Sequence, residues 1–362
     1  MDTARLQSVI SAELAARRSD VIEIDDRLTG LVDLLVDFVA AGGKRLRPEF
    51  LWCGWTAGGG ARVGESADPD AVLRVGAALE LIQACALIHD DVIDRSDSRR
   101  GRPATHRAVA KQHADAGLGG DAEHYGVSAA VLLGDLALAW ADDLYTAGAA
   151  ELGAVGRSLP VWRAMRTEVL SGQLLDLVTT AAVTTDPSTQ AADAMRVNRF
   201  KTAAYTVERP LHLGAALAGA SAETVAALRS YGADIGVAFQ LRDDLLGVYG
   251  DPAVTGKPAG DDLLEGKRTL LLATARAALA ADRHLLGELD AGVGSAGADP
   301  ARLADIIART GAPDVLEARI DQLVGTGLAA LHGTDAAGRP VIGDGARERL
   351  VQLAHAATAR RS

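Results

Sequence analysis

Residues 80–100 read ELIQACALIHDDVIDRSDSRR. The first half is apolar and built of small and straight-chain residues that favour helix. Three aspartates follow, Asp90, Asp91 and Asp94. On a helix Asp90 and Asp94, four apart, project from one face, and Asp91 and Asp94 are three apart. Three carboxylates thus fall within about one turn, at the end of a run that should be buried. Like charges at this spacing repel by a few tenths of a kcal/mol per pair (about 0.2–0.5) when exposed, and by more as the site dries. A hard divalent cation removes that repulsion, and magnesium prefers oxygen ligands, keeps several waters and shares its ligands with phosphates. An isolated DDxxD is equally a solvated acidic helix end. Arg99, Arg100 and Arg102 come next; the arginine fork suits phosphate oxygens, or salt bridges within the loop.

Working outward, a second acidic pair, Asp243 and Asp244, lies in FQLRDDLLGVYGD (239–251) after an apolar helical stretch, 235–241. Aspartate-bearing helices about 150 residues apart can face each other across a bundle, where metal sites are commonly built. The Glu-x-x-His pairs of di-iron bundles are missing, and aspartates beside phosphate-binding bases favour magnesium. Further bases stand in GGKRLRP (42–48), at Lys201 beside Thr202, and in TGKPAGDDLLEGKRT (255–269). Each alone is an ordinary surface cation. The turn at 42–48 lacks the full phosphate-loop pattern. Asp261 and Asp262 sit in a Gly/Pro-rich loop and read as helix capping.

The whole chain agrees with a helical reading. It has 362 residues, 48% hydrophobic but only 4% aromatic, and β-branched alternation is scarce. Breaks rich in Gly, Pro, Asp or Ser fall at 58–70, 117–126, 185–187, 250–260 and 292–300, leaving roughly a dozen helices. None resembles a flexible linker, so one domain over 1–362 is expected, with motifs in about 30–275 and helices over 276–362. Past residue 280 three or four amphipathic helices carry no chemical motif, with 302–309 and 315–331 as examples. The net charge of −11 argues against nucleic-acid binding. No run reaches 18 apolar residues, so no membrane span is expected; the nearest, 127–141, is interrupted by Asp135 and reads as a core helix. Cys53 and Cys85 have no paired spacing, and a reducing cytoplasm fits.

In order and spacing, GGKRLRP (42–48), HDDVIDRSDSRRGRPATH (89–106), GD (134–135), KT (201–202), FQLRDD (239–244) and TGKPAGDDLLEGKRT (255–269) resemble the trans-type polyprenyl diphosphate synthase family, most of all its bacterial geranylgeranyl diphosphate synthases. The resemblance covers about residues 30–275. It implies an all-α fold, a single large helical bundle around a deep central cavity, and a homodimer. It implies that Asp90, Asp91 and Asp94, with Asp243 and Asp244 from the opposite wall, hold three magnesium ions. Isopentenyl diphosphate would be bound by Lys44, Arg47, Gln83 and Arg100. The allylic diphosphate would be bound by Arg99, Lys201, Thr202, Gln240, Lys257 and Lys267. Asp90, Asp94, Arg99, Lys201, Asp243 and Lys257 would carry the chemistry. Two departures stand out. Gly247 occupies the place of a third aspartate in the second motif, which removes an outer contact that Asp251 is badly placed to replace. Gln83 stands where many relatives have His, although its amide also donates to phosphate.

The implied reaction is ionisation of the allylic diphosphate, attack on C1 by the double bond of isopentenyl diphosphate, and loss of a proton to the released diphosphate. An apolar cavity would keep water from the cation. Cys85 and Ala86, five and four residues before Asp90, are small where bulky aromatics shorten the product in this family, so a C20 product is expected; Trp140 or Ile82 would form a deeper floor. Farnesyl or longer-chain synthases are the near alternatives. A class I terpene cyclase would need Ser/Thr and Glu where Val248 and Pro252 stand, and cation-stabilising aromatics that this chain lacks. A non-catalytic synthase subunit would be expected to lose the acids or bases kept here.

Overall fold

In a computed structural model of the chain, the structure describes residues 1–60, 69–99, 101–182, 186–251, 259–295 and 297–358. The all-α expectation holds: the strands among the described residues are one two-residue hairpin, Ser98–Arg99 with Arg102–Pro103, and an isolated bridge between Thr334 and Pro340. By internal contacts the chain divides into two compact units, Met1–Ser158 with Leu217–Gly219, and Leu159–Ala216 with Ala220–Ser362.

The first unit holds α1 (Thr3–Ile24), α2 (Thr29–Ala40), α3 (Leu46–Ala57), α4 (Pro69–Ile93), α5 (Thr105–Asp115), α6 (Ala122–Glu151) and the start of α7 (Val155–Ala181). Asp2 and Asp121 cap α1 and α6, each accepting two backbone N–H bonds. Helix α4 is apolar nearly all round because its neighbours α1, α3, α5 and α6 cover it. Its length and apolarity would let it cross a bilayer, which 127–141 was expected to approach more nearly; most of α4 is instead buried in this unit. Close helix contacts rest on glycines. A Cβ at Gly148 of α6 would lie 2.6 Å from the Ala71 carbonyl of α4, and one at Gly126 would run into the His106 carbonyl of α5. Gly126 is therefore a packing residue inside α6. The expected break at 117–126 ends earlier, at the Asp121 cap.

The second unit continues α7 and adds α8 (Pro187–Val197), a π-helix (Asn198–Glu208), α9 (Arg209–Ala218, whose end belongs to the first unit), α10 (Ala222–Tyr249) and α11 (Asp261–Leu264). It closes with α12 (Leu270–Ala278), α13 (Arg283–Gly292), α14 (Pro300–Arg309), α15 (Ala312–Ala330) and α16 (Asp344–Thr358). Four helices thus follow residue 280 among the described residues, in line with the sequence. Helix α10 packs on the π-helix and on α15. Its core includes Leu241, Leu245, Leu271, Leu272, Ile306, Leu316 and Ile320. Arg242 of α10 is buried and donates to Glu317 of α15 at 2.5 and 2.6 Å and to the Thr358 carbonyl at 2.8 Å, which ties α16 to α10.

Candidate active site

In the first unit the turn at 42–48 is shaped by a buried cation. Arg45 adopts φ +48° at the N-cap of α3. Its guanidinium pairs with Glu80 of α4 and donates to Gln7 Oε1 (3.0 Å) and to the Val39 carbonyl (2.9 Å). Arg45 is thus the anchor of the motif, a role the sequence reading did not assign. The flanking Lys44 is exposed and Arg47 half-buried. Gln83 is half-buried on α4.

Helix α4 ends at Ile93, past Asp90 and Asp91, and Asp94 stands in the turn that follows. Arg95 takes φ +55°, and the Arg95 and Ser96 amides bond back to the Val92 and Asp91 carbonyls, at 3.4 and 2.9 Å. That double return closes a helix end, here with arginine in the position glycine usually fills. The chain then turns through the hairpin, where Gly101 has φ +73°, and Arg99 comes back onto the aspartates. Its Nε donates to Asp91 Oδ1 at 2.8 Å, its Nη2 makes a second bond to the same oxygen, and Asp90 lies 3.6 Å away. The Asp91 side chain is wholly buried. Burial raises its pKa, and the Arg99 bond works against that rise. Asp91 Oδ2 has no hydrogen-bond partner among the described residues. Asp90 is half-buried and Asp94 exposed.

The Gly134–Asp135 pair on α6 is explained by His89. A Cβ at 134 would collide with the imidazole, with Cε1 at 2.9 Å. The ring Nε2 lies 3.1 Å from the Val131 carbonyl and 3.7 Å from Asp135, and Nδ1 lies 3.7 Å from Cys85 Sγ. Burial, with Asp135 adding to it, pushes the Cys85 thiol up to about 12, so it stays neutral.

In the second unit Gln240, Asp243 and Asp244 share α10, with Asp243 exposed and Asp244 buried. Gln240 Nε2 donates to Asp244 Oδ1 at 2.7 Å, and Asn198 of the π-helix lies 3.4 Å from Oδ2. Burial pushes the Asp244 pKa up to about 7, the charges of Asp262 and Asp243 adding to the rise and the Gln240 bond opposing it. Lys201 and Thr202 also lie in the π-helix. Lys201 donates to Asp176 of α7 at 2.7 Å, and Gly172, one turn earlier on α7, makes room: its Cβ would fall 2.7 Å from Lys201 Cα. The sequence reading missed Asp176 and Asn198, whose partners come only with the tertiary fold.

The capping role expected of Asp261 and Asp262 is not what the fold shows. The N-cap of α11 is Gly260, with φ +78° and no side-chain cap bond. Asp262 instead accepts from Lys267 Nζ at 2.8 Å, and Glu265 lies at the same distance from that ammonium. Burial works against the Lys267 charge, but the two carboxylates outweigh it and hold its pKa above the usual lysine range. Arg100 and Lys257 lie outside the described residues.

Among the described residues no group of three or more His, Cys, Asp or Glu is close enough to hold a metal unaided. The donors present are carboxylate oxygens, and Asp91 Oδ2 is a buried acceptor without a hydrogen-bond partner. That chemistry fits a hard cation which completes its shell with water and phosphate oxygens. The polyprenyl synthetase family profile matches residues 29–306.

The chain belongs to the polyprenyl synthetase family. As a member of this family it is a prenyltransferase enzyme. It is 34% identical to a geranylfarnesyl diphosphate synthase of Aeropyrum pernix, over 81% of this chain and 83% of the relative. It is 32% identical to a geranylgeranyl diphosphate synthase of Mycobacterium tuberculosis, over 81% and 76%. Its structure is similar to that of a Corynebacterium glutamicum geranylgeranyl pyrophosphate synthase complexed with isoprenyl diphosphate and magnesium. The TM-score is 0.91, with 45% identity and all of both chains covered.

Proposed function

We propose that this prenyltransferase condenses isopentenyl diphosphate with allylic diphosphates and releases mainly geranylgeranyl diphosphate, with both compact units serving one catalytic domain. One observation carries the assignment of roles. In each adjacent aspartate pair one carboxylate is buried and tied down while the other is more exposed: Asp91 against Asp90, Asp244 against Asp243. Asp90, Asp94 and Asp243 are then the direct magnesium ligands, and Asp91 and Asp244 complete the shell from behind. Three magnesium ions, when bound, neutralise the diphosphate oxygens and ease cleavage of the allylic C–O bond.

Lys44, Arg47, Gln83 and Arg100 hold isopentenyl diphosphate. Arg99, Lys201, Thr202, Gln240, Lys257 and Lys267 hold the allylic diphosphate. Arg99, Lys201 and Lys267 are each oriented by a carboxylate, namely Asp91, Asp176 and Asp262. A cation already fixed in place loses less side-chain freedom when it meets phosphate. The released diphosphate takes the proton, so no side chain acts as base. Cys85, small, buried and neutral, leaves room along α4 for a C20 chain.

The assembly we infer is a homodimer. Leu170, Leu174, Leu177 and Val178 of α7 are all exposed, and their spacing puts them on one helix face. The free thiols of Cys53 and Cys85 support a cytoplasmic location.

The test is incubation with magnesium, isopentenyl diphosphate and, separately, C5, C10 and C15 primers, followed by product-length analysis. A dominant C20 product supports the proposal. A C15 or C25 stop would move the floor of the chain-length cavity and keep the enzyme class. Cyclic hydrocarbon from primer alone, or near-normal turnover in both Asp90→Ala and Asp243→Ala, would overturn the site assignment.

A further inference from the structure

We propose that Glu208 is a positioning residue of the allylic diphosphate site: clamped between Arg199 and Arg229, it holds the segment Asn198–Glu208 in its π winding and so sets where Lys201 and Thr202 stand. The inference rests on the reading above that those two residues hold the allylic diphosphate, and deepens it.

The winding is what lets the clamp close. Arg199 and Glu208 are nine apart. In an α-helix, at about 100° and 1.5 Å per residue, nine residues bring the second side chain to the opposite face, about 14 Å further along the axis. A π-helix bonds five residues back and has about 4.4 residues per turn, so nine residues make nearly two turns and the side chains share a face. The Arg209 amide donates to the Ala204 carbonyl, five residues back, and Arg199 Nη2 forms an ion pair with Glu208 Oε2. The pair spans the segment almost end to end, and it fits the π winding and not the α. A second cation fixes the acid from outside. Arg229 of α10 donates to Oε1 at 3.0 Å, and the Glu208 side chain is 2% exposed.

The neighbouring helices are cut to the wider winding. A Cβ at Gly232 of α10 would lie 2.5 Å from Glu208 Cα, and one at Gly236, a turn further on, 2.7 Å from Ala203 Cα. Gly172 of α7 stands in the same relation to Lys201. These glycines make room for a π-helix but do not impose one. A winding this rare persists where contacts over-determine it, and the ion pair across nine residues is the contact that discriminates. Lys201 and Thr202 lie inside the clamp. Rewinding to α would add about 20° per residue and swing Lys201 away from Asp176, to which it donates at 2.7 Å.

Steady-state kinetics with each substrate varied in turn tests this. Glu208→Gln keeps the shape of the side chain and removes its charge. It should raise the KM for the allylic diphosphate about tenfold or more, with little change in that for isopentenyl diphosphate. Arg199→Met should give the same split, and Arg199→Lys, which keeps the charge, should restore most of the wild-type value. In the double variant Arg199→Met with Glu208→Met the buried charge is gone, so the melting temperature should recover, yet the raised allylic KM should remain. A crystal structure of Glu208→Gln should show Asn198–Glu208 drawn toward α winding. A wild-type allylic KM in Glu208→Gln, both KM values raised alike, or an unaltered π-helix in its crystal would overturn the inference and leave the prenyltransferase reading intact. A wild-type allylic KM in Lys201→Ala would sink the reading of Lys201 as a diphosphate ligand, and this inference with it.

Discussion

Replacing Asp244 by asparagine should stabilise the metal-free protein, and increasingly so as the pH rises. The residue is buried, its partners are amides, and its pKa is pushed from 3.8 up to about 7, chiefly by burial. A folded-state pKa raised above the unfolded value contributes stability that is complete below about pH 4 and is lost as pH climbs to 7. The loss runs at about 1.4 kcal/mol per pH unit, or about 4 kcal/mol across the window. An asparagine at this position would not titrate, and its oxygen would still accept the Gln240 bond. Between pH 5 and pH 8 the variant should therefore gain about 2.7 kcal/mol on the wild type. With an unfolding entropy of about 0.8 kcal/mol/K for a chain this long, that gain is about 3–4 °C in melting temperature if the chain unfolds as one. Calorimetric melts in EDTA at several pH values read it directly. Parallel curves for the two proteins, or a variant that loses ground as pH rises, would refute the reasoning.

Other substitutions probe the frame. Arg242→Met removes the cation that ties Glu317 and the Thr358 carbonyl to α10; Glu317 is partly exposed, so a loss of about 2 kcal/mol is expected in urea unfolding, with faster proteolysis of α16. Gly126→Ala pushes a methyl group into the His106 carbonyl, where backbone cannot yield cheaply. It should lower stability by about 1–3 kcal/mol or more, with no change in the product chain length of the folded fraction. Cys85→Phe fills the buried site beside His89 on α4, and chromatography of the products should show a shift from C20 toward C15.

How far the sequence could be read depended on whether the deciding contact was local. The helical class was legible because apolar periodicity is carried by neighbours along the chain, as in 80–89 and 235–241. That Asp90 and Asp94 share a face follows from the 3.6-residue repeat alone. The Gln240–Asp244 bond spans one turn of α10 and lay within reach of the same argument. The partners of Asp91 and Lys201 did not, because a hairpin returns Arg99 to α4 and a separate helix brings Asp176 to the π-helix. Glycines misled for a related reason. Gly126 has the composition of a turn, yet it marks a place where two helices touch, and sequence alone does not separate these uses. The π-helix over Asn198–Glu208 was not legible either, since its wider winding has no compositional mark.

The two aspartate pairs look equivalent in sequence, and the fold treats them differently. Adjacent residues on a helix point about 100° apart, so one member of each pair must face the packing. In the first unit that member, Asp91, meets a guanidinium, and the burial of its charge is countered by an opposite one. In the second unit Asp244 meets two amides, and its charged neighbours Asp243 and Asp262 have its own sign. Lys267, the cation that follows Asp262 in the chain, is bound to Asp262 and Glu265 instead. The buried member of the first pair is therefore compensated by a guanidinium, whereas Asp244 meets like charges and relieves that repulsion by taking up a proton or a cation. Near neutral pH the proton is held weakly, with a pKa of about 7, and a divalent ion competes with it on favourable terms. Metal uptake by the second unit should accordingly release protons and raise its stability more than uptake by the first, a difference visible when calorimetric magnesium titrations with pyrophosphate are compared in buffers of different ionisation enthalpy.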